Sequence, residues 1–345
     1  MRIVFRVEGD PNIGLGHVMR CLALAQSLIS SGHTVVFLMS KSSQSFCQNR
    51  FDWVGDILPL IINEAQDEAS WVQLQCIELK ADWLVLDGYQ FTQGYRQALV
   101  THHYRLAIFD DINNSGNLYA DVVINGVSNG GALNYEVTAP HAQLAVGKGY
   151  QVLRQEFLQL SDRSWSRRRG LMLMFGGSDP HNLTLSVLEA LAKYHVAIPI
   201  TVITGAAYRN LNDLSKFIAS CDLPVTHYHD CHTMADVLAN SCLALSAAGG
   251  SQFELLACAT PAILLVVADN QKRASEEAKK QGWCQVLNHQ EQTSEQLVKH
   301  CLALWGDADT LFSMHQHAMK QAVIDGAEAI GELMSKITSS TESNL

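Results

Sequence analysis

The chain has 345 residues, more than one hydrophobic core usually serves and a suitable number for two domains. Hydrophobic residues make up 48% of it and charged residues 17%, a balance typical of a packed globular protein and not of a disordered one. The net charge of −10 argues against nucleic acid or an anionic membrane as a partner, because both require a basic surface. A small phosphorylated ligand needs only local positive potential and is compatible with this charge.

Short apolar runs alternate with helical patterns from one end of the chain to the other, and each run predicts a buried strand. In the first half these strands fall at residues 2–7, 34–39, 83–87, 105–110 and 121–125. In the second half they fall at 171–175, 199–204, 243–247 and 262–267. The clearest amphipathic helix spans residues 17–31 and is closed by Gly32. Strands separated by helices indicate parallel sheets that are covered on both faces.

This alternation predicts an α/β fold of two Rossmann-like, doubly wound domains that face a central cleft. We expect an N-terminal domain over residues 1–150, a polar linker over 151–170 and a C-terminal domain over 171–337. The arginines of the linker (Arg163, Arg167, Arg168 and Arg169) are expected to be solvated, and residues 338–345 to form a disordered polar tail.

The nine cysteines are scattered and form no CxxC pair, which predicts free thiols in a reducing compartment. The first ten residues contain no secretory hydrophobic region, and no run of 18 apolar residues is present to span a bilayer. We therefore expect a cytoplasmic protein without membrane insertion. The sequence carries no signal for a particular oligomeric state.

The segment between the first strand and the first helix reads IGLGHVMR (13–20). It is not a dinucleotide fingerprint, because the third glycine of GxGxxG is replaced by Met19 and the second strand ends in Ser40 and Lys41 without an acid for a ribose. It is not a phosphate-binding P-loop either, because the chain contains no GKS or GKT. Neither nucleotide-binding motif explains these glycines.

Two glycines, Gly14 and Gly16, would let the backbone of this loop approach a ligand closely. His17 follows in the first helical turn and is a candidate general base. Arg20 lies one turn later on the same helix face and could hold an anionic group of the ligand. The alternative is a histidine that caps the helix and an arginine exposed on the surface.

Polar side chains also stand at the ends of other strands of the first half. They are Arg6 after the first strand, Asp87 and Tyr89 in LDGYQ, Asp110 and Asp111 in FDDI, and Asn125 in INGVSN. Because parallel strands end at one edge of their sheet, these residues predict a sugar site. Each of them alone could instead be a turn former or a helix cap.

The second half repeats a construction of strand, glycine turn and helix in MFGGSDPHN (174–182) and SAAGGSQFELL (246–256). In the first copy Gly177 and Ser178 form the turn, and Asp179 and Pro180 are expected to open a helix. In the second copy Ser251 and backbone N–H groups would meet a phosphate, and Glu254 would accept hydrogen bonds from ribose hydroxyls. Asn270 and Gln271 follow the next strand, so the sequence predicts a nucleotide pocket here.

A group of metal-binding residue types lies in THYHDCH (226–232), with His227, His229, Cys231 and His232. Their spacing matches no standard zinc motif, and the first residues alternate like a strand that runs into a turn. We expect no metal and no cofactor.

Several of these segments together resemble a known family. They are RVEGDPNIGLGHVMRCLALA, DGYQ, FDDI, FGGSDPHN and SAAGGSQFELLACATPAILLVVADNQ. They are similar to the UDP-2,4-diacetamido-2,4,6-trideoxy-β-L-altropyranose hydrolases of pseudaminic acid biosynthesis, enzymes of the GT-B fold related in architecture to MurG-type glycosyltransferases. The resemblance extends from Met1 to about Trp283. It implies a GT-B-like protein whose N-terminal domain carries the sugar site and whose C-terminal domain binds UDP.

Carried over to this chain, the resemblance implies that His17 is the catalytic base and that Arg6, Gly14, Gly16 and Arg20 form the substrate loop. It implies that Ser178, Ser251 and Glu254 contact the UDP, with backbone atoms of His229 at the uracil. The chain departs from the family at Glu8, where aspartate is usual, and at Gly88 and Gln90. These departures fall on the sugar side and leave the exact sugar open.

The resemblance implies a metal-independent hydrolysis, in which water activated by His17 attacks the anomeric carbon, inverts it and displaces UDP. The alternative is a glycosyltransferase of the same fold that uses a UDP-sugar donor for cell-surface polysaccharide. A third hypothesis is a regulator that binds a sugar nucleotide, although it would leave the His17–Arg20 loop without a purpose.

Overall fold

The computed structural model describes residues 1–9, 15–48, 50–62, 67–160 and 162–342. The chain divides into two compact units. Unit 1 comprises Met1–Gln155 and Val323–Leu345, and unit 2 comprises Glu156–Ala322. Each unit is a parallel sheet packed between helices, which confirms the predicted α/β class with two Rossmann-like domains. In the described ranges, no helix is both long enough and apolar enough to cross a membrane.

Unit 1 contains a seven-stranded sheet. Its strands are β1 (Arg2–Val7), β2 (Thr34–Met39), β3 (Asp56–Pro59), β4 (Trp83–Asp87), β5 (Arg105–Phe109), β6 (Val122–Asn125) and β7 (Gln143–Val146). They lie in the order β3-β2-β1-β4-β5-β6-β7, and every neighbouring pair is parallel. The direction of winding reverses between β1 and β4, and open sheets of this kind bind ligands at the carboxyl ends of the strands beside that reversal.

Helices cover both faces of this sheet. They are α1 (Gly16–Ser30), α2 (Lys41–Cys47), α3 (Glu68–Glu78), α4 (Gln93–Ala98), α5 (Tyr135–Thr138) and, from the end of the chain, α14 (Gly326–Glu342); α6 (Gln155–Leu158) spans the passage into unit 2. The apolar stripe of α1, which includes Val18, Ala25 and Leu28, is buried against the sheet. The helix ends at Ser30, and Gly32 follows it as predicted, with a positive φ of 82° that suits a glycine after a helix.

Unit 2 contains a six-stranded sheet of the same design. Its strands are β8 (Leu171–Met174), β9 (Ile200–Thr204), β10 (Val225–His229), β11 (Leu243–Ala247), β12 (Ala262–Val266) and β13 (Cys284–Asn288). They lie in the order β10-β9-β8-β11-β12-β13, all parallel, so the winding reverses between β8 and β11. The helices are α7 (Leu183–Ala192), α8 (Leu211–Ser220), α9 (Met234–Asn240), α10 (Ser251–Ala257), α11 (Lys272–Lys280), α12 (Ser294–Trp305) and α13 (Ala308–Gln321).

The end of the chain differs from the prediction. Helix α14 belongs to unit 1 and not to the C-terminal domain, and it continues through the expected polar tail as far as Glu342. Ala327, Ile330 and Met334 of this helix are buried in the same apolar cluster as Leu28 of α1. Their spacing of three and four residues creates a stripe that α1 covers, and this packing holds the helix in unit 1.

The predicted linker is also more structured than expected. Arg168 was predicted to be solvated, but it is only 2% exposed. Its guanidinium donates to the carbonyl oxygens of Ser241 and Cys258 at 3.0 and 2.6 Å. These residues end α9 and α10, where helix carbonyls lack partners within the helix, so Arg168 caps both helices.

Candidate active site

His17 lies beside the reversal point of the unit 1 sheet and contacts the last residue of β4. Its Nδ1 is 2.7 Å from Oδ1 of Asp87, whose side chain is completely buried. Nδ1 therefore carries the hydrogen and donates it to the carboxylate, and Nε2 becomes the ring nitrogen that can accept a proton. This arrangement of imidazole and buried carboxylate is the one that orients a general base in many hydrolases.

Arg20 joins this pair to a second carboxylate. It donates to Asp87 through Nε at 2.5 Å and through a terminal nitrogen at 2.7 Å, and it forms an ion pair with Asp111 at 2.7 Å. Burial acts to raise the pKa of Asp87, but the charges of Arg20 and His17 and their hydrogen bonds lower it overall. The guanidinium also lies over the ring of Phe109, with 4.9 Å to its centroid.

Tyr89 closes the arrangement from the solvent side. Its hydroxyl donates to Oδ2 of Asp111 at 2.5 Å, and its ring meets the His17 ring edge-on with 4.9 Å between centroids. Burial acts to raise the pKa of Asp111, yet Arg20 and the hydrogen bonds from Arg20 and Tyr89 lower it to about 2. Asp87, Tyr89 and Asp111 are thus brought together at one edge of the sheet, as their positions after the strands predicted.

The alternative of a capping histidine does not fit this geometry. Helix α1 begins at Gly16 with Leu15 as its N-cap residue, and among the described residues no side chain forms a capping hydrogen bond there. Arg20 is not exposed on the surface, because its guanidinium pairs with Asp87 and with Asp111 and its side chain is only 24% exposed. Beside Gly16, no heavy atom of the described residues lies within 4 Å of where a Cβ would stand, whereas the predicted loop residue Gly14 lies outside the described residues.

Arg6 is buried at the end of β1 between two carboxylates. It is 3% exposed and pairs with Glu8 at 2.6 Å and with Glu68 at 2.9 Å. Glu8 in turn accepts hydrogen bonds from the hydroxyls of Ser40 and Ser43, and Ser43 also accepts from the N–H of Gly9. These contacts hold the end of β1 and the backbone of Gly9. The predicted contact of Arg6 with substrate stays a prediction.

Asn125 is the last residue of β6, and its side chain forms hydrogen bonds with neighbouring loop residues. It is 2% exposed, donates to the hydroxyl of Tyr135 at 2.9 Å and accepts from the N–H of Val127 at 3.0 Å. Tyr135 donates to Asp110 at 2.7 Å. These contacts hold the loop after β6, so a direct role of Asn125 toward a sugar stays a prediction.

In unit 2, the predicted nucleotide loops lie beside the reversal point between β8 and β11. Gly177 and Ser178 follow β8, and Ser251 begins α10 after β11. The backbone of Gly177 would be 2.5 Å from a Cβ on Gly205, so the loops after β8 and β9 pack closely and only glycine fits at 205. Helix α10 has only seven residues, so we expect the turn before it to contribute more to ligand binding than a helix dipole does.

The helix that Asp179 and Pro180 were expected to open begins later, at Leu183. Asp179 still serves it, because its buried carboxylate accepts from the N–H groups of Leu183 and Thr184 at 2.9 and 2.8 Å. The start of α7 is therefore capped by a protein carboxylate.

Glu254 lies in the first turn of α10 and is half-buried. Asn270 and Gln271 lie in a short 3-10 turn after β12, and Gln271 accepts from the N–H of Val267 at 3.0 Å. The amide nitrogen of Gln271 is 3.7 Å from where a Cβ on Gly249 would stand. The two loops thus adjoin each other as the predicted pocket requires.

The histidines of β10 share one partner. His227 and His229 both contact the hydroxyl of Thr204, at 2.8 and 3.2 Å. Burial, followed by the charge of His229, lowers the pKa of His227. Throughout the part of the chain that the structure describes, no three His, Cys, Asp or Glu side chains are grouped to hold a metal ion.

Comparisons with known proteins bear on the two units differently. Residues 171–330, of which 171–322 lie in unit 2, match the model of the glycosyltransferase family 28 C-terminal domain. An uncharacterized protein of Methanocaldococcus jannaschii is 27% identical over 284 residues, which cover 77% of this chain and 55% of that protein. The chain thus spans about half the length of this relative.

The UDP-2,4-diacetamido-2,4,6-trideoxy-β-L-altropyranose hydrolase of Campylobacter jejuni is 25% identical over 221 residues, covering 63% of this chain and 74% of that enzyme. Among solved structures, MurG of Acinetobacter baumannii matches with a TM-score of 0.66 and 16% identity over 97% of this chain and 99% of the other. The chain therefore has a GT-B-like fold of two Rossmann-like units, and the second unit is similar to the C-terminal domains of family 28 glycosyltransferases.

Proposed function

We propose that this protein hydrolyses the anomeric C–O bond of a UDP-linked 2,4-diacetamido-2,4,6-trideoxy sugar and releases UDP. The single observation that carries the proposal is the pair of His17 and buried Asp87 at the ligand-binding edge of unit 1. The hydrolase of Campylobacter jejuni, with which 63% of this chain aligns, supports the reaction and the sugar class. We also propose a place in pseudaminic acid biosynthesis, which the resemblance of the sequence segments to this hydrolase family implies.

In this proposal, Nε2 of His17 removes a proton from water as the water attacks the anomeric carbon. The proton acceptor is prepared by Asp87, which fixes the tautomer through Nδ1 and stabilises the imidazolium that forms. General-base catalysis of this kind contributes on the order of 10²–10⁴ to the rate.

A single displacement by water inverts the anomeric carbon, whereas retention requires an enzyme carboxylate as a covalent nucleophile. The two carboxylates beside His17 are poor candidates for that role. Asp87 is fully buried under His17 and Arg20, and Asp111 accepts from Arg20 and Tyr89. We therefore expect inversion.

Binding of the UDP moiety is assigned to unit 2, on the support of the family 28 match. We propose that the turn at Gly177 and Ser178 and the turn before Ser251 hold the diphosphate through N–H groups and hydroxyls. Glu254 would accept from the ribose, the backbone of His229 would contact the uracil, and Asn270 and Gln271 would complete the pocket. Stabilising the departing diphosphate lowers the barrier to C–O cleavage.

A glycosyltransferase is the second candidate, because the family 28 domain and the MurG-like fold both favour it. The same base would then remove a proton from an acceptor hydroxyl in place of water. The two reactions differ only in the nucleophile.

Release of UDP from UDP-sugars without any acceptor distinguishes these candidates. We expect stoichiometric UDP and free sugar from a UDP-linked 2,4-diacetamido-2,4,6-trideoxy sugar, with the product identified by NMR. No turnover until a hydroxyl acceptor is supplied would contradict hydrolysis and establish the transferase.

Replacing Glu254 with alanine should weaken UDP binding by about 1–3 kcal/mol, because the ribose hydroxyls lose a charged acceptor. Isothermal titration calorimetry with UDP measures this change. Glu189→Ala removes an exposed carboxylate from α7 of the same unit and should leave the affinity unchanged. Equal UDP affinity in the wild type and Glu254→Ala would remove Glu254 from the nucleotide site.

A further inference from the structure

Five side chains of unit 1 form a closed circuit of contacts. His17 and Arg20 both form hydrogen bonds with the carboxylate of Asp87, and Arg20 also donates a hydrogen bond to Asp111. Asp111 accepts from the hydroxyl of Tyr89, whose ring returns to His17 edge-on. Asp111 has no contact with His17 itself in this circuit, yet it touches both residues that flank the imidazole.

Arg20 has an unfavourable effect on a protonated His17. One of its terminal nitrogens lies 3.3 Å from Nδ1 of His17, the nitrogen that donates to Asp87. The same guanidinium binds both oxygens of Asp87 and so competes with the imidazole for that carboxylate. A lone arginine at this distance would oppose the positive charge that His17 acquires when it accepts a proton.

Asp111 compensates for this effect. Its two oxygens accept from the two terminal nitrogens of Arg20, at 2.7 and 3.3 Å. Two carboxylates then face one guanidinium, which leaves one negative charge to balance an imidazolium at His17. Because the carboxylate of Asp87 is completely buried and the side chains of Arg20 and Asp111 are mostly shielded, at 24% and 21% exposed, solvent screens this balance less than it would on an open surface.

Asp111 also holds Tyr89 in place. Tyr89 is 56% exposed, and its hydroxyl is the part of the side chain that reaches Asp111. The hydrogen bond to Asp111 fixes the hydroxyl and with it the edge-on ring contact. One carboxylate therefore controls both the charge and the packing around the imidazole.

We propose that Asp111 is a positioning residue for His17: it neutralises Arg20 so that His17 can accept a proton, and it anchors Tyr89 against the imidazole. The catalytic part of this inference rests on the proposed function. The electrostatic part concerns His17 alone and can be measured without turnover.

Among the residues that the structure describes, the groups that face His17 are Asp87 at the end of β4, Arg20 on α1, Tyr89 after β4 and Asp111 after β5. Behind them, Cys21 donates from Sγ to Asp87 at 3.7 Å, and Asp110 accepts from Tyr135. Burial raises the pKa of Cys21 and of Asp110. An asparagine at 111 changes the charge of only one member of this set.

The test follows the imidazole signal of His17 by NMR over a pH range in the full-length protein, with H17Q used to assign it among 14 histidines. We expect D111N to lower the pH at which His17 titrates, because a negative charge within several ångströms is lost. Y89F removes the hydrogen bond between residue 89 and Asp111 but keeps the charge of Asp111. His17 should therefore titrate in Y89F as it does in the wild type. D111E restores the charge and should move the midpoint back toward the wild-type value.

The same variants are assayed for UDP release across pH. D111N should move the acidic limb of kcat/KM to lower pH and reduce kcat, with KM little changed, since His17 must be neutral to act. An unchanged His17 titration in D111N, with the protein folded by circular dichroism, would overturn the inference. A shifted titration in a protein that releases no UDP would support the electrostatic role of Asp111 and count against the proposed hydrolysis.

Discussion

Replacing His17 with alanine is expected to lower the turnover of UDP release by about a hundredfold or more while UDP still binds. The reason is that the variant loses the only group in the proposed mechanism that removes a proton from water. Nothing in unit 2, to which UDP binding is assigned, is altered by the change. Steady-state rates of UDP release and calorimetry with UDP measure the two effects separately.

His33 provides the matched control for this variant. It also belongs to unit 1, but it contacts the N-terminal amine at 3.2 Å, away from Asp87. His33→Ala should therefore retain nearly wild-type turnover. Equal rates in His17→Ala and His33→Ala would remove His17 from the mechanism.

Replacing Asp87 with asparagine is expected to reduce turnover by about 10²–10⁴-fold and to destabilise the fold. The carboxamide offers an N–H group where Arg20 or His17 requires an acceptor, so His17 loses its fixed tautomer. Removing one partner of a buried ion pair costs about 3 kcal/mol of the free energy of unfolding or more. Urea denaturation and the rate of UDP release report the two losses.

Asp52 separates the structural loss from the catalytic one. It too is a partly buried carboxylate between two arginines, Arg50 at 2.9 Å and Arg154 at 3.3 Å, and these cations lower its pKa although burial opposes them. Asp52→Asn should thus destabilise the protein and still turn over at nearly the wild-type rate. If the folded Asp87→Asn protein also turned over normally, the pairing of His17 with Asp87 would have no role in catalysis.

The sequence predicts the central strands of both sheets well. Segments such as TVVFLM and LALSA form strands with the predicted bounds, because strands buried on both faces are continuous apolar runs. The strands β3, β7 and β13 do not stand out in this way. Strand β3 reads DILP and β7 reads QLAV, and each lies at an edge of its sheet with polar or half-buried positions.

Long-range packing explains the other differences. The position of α14 depends on a stripe of apolar residues that meets α1 some 300 residues earlier in the chain, and a local pattern does not reveal that partner. The partners of Arg168 are backbone carbonyl groups at the ends of two helices, and no sequence pattern around Arg168 reveals them. The prediction that Arg168 is exposed to solvent therefore rested only on the polar composition of the segment.

Within the candidate site, the strand-end positions of Asp87, Tyr89 and Asp111 predicted that they would meet, since parallel strands share one edge. Their roles were harder to predict, because the sequence around an aspartate at the end of a strand does not show whether its carboxylate contacts a ligand or another side chain. Asp87 and Arg20 were expected to contact substrate, and the structure pairs them with each other. The sequence signal for this pairing is the spacing of His17 and Arg20 by one helical turn.

The bond that breaks can be identified by running the reaction in water labelled with a heavy oxygen isotope and analysing both products by mass spectrometry and NMR. Attack on the anomeric carbon by water that His17 has activated predicts UDP without label, a free sugar that carries the label, and an initially inverted anomer. Label in a nucleotide phosphate, UMP as a product, or a retained anomer would each contradict this mechanism.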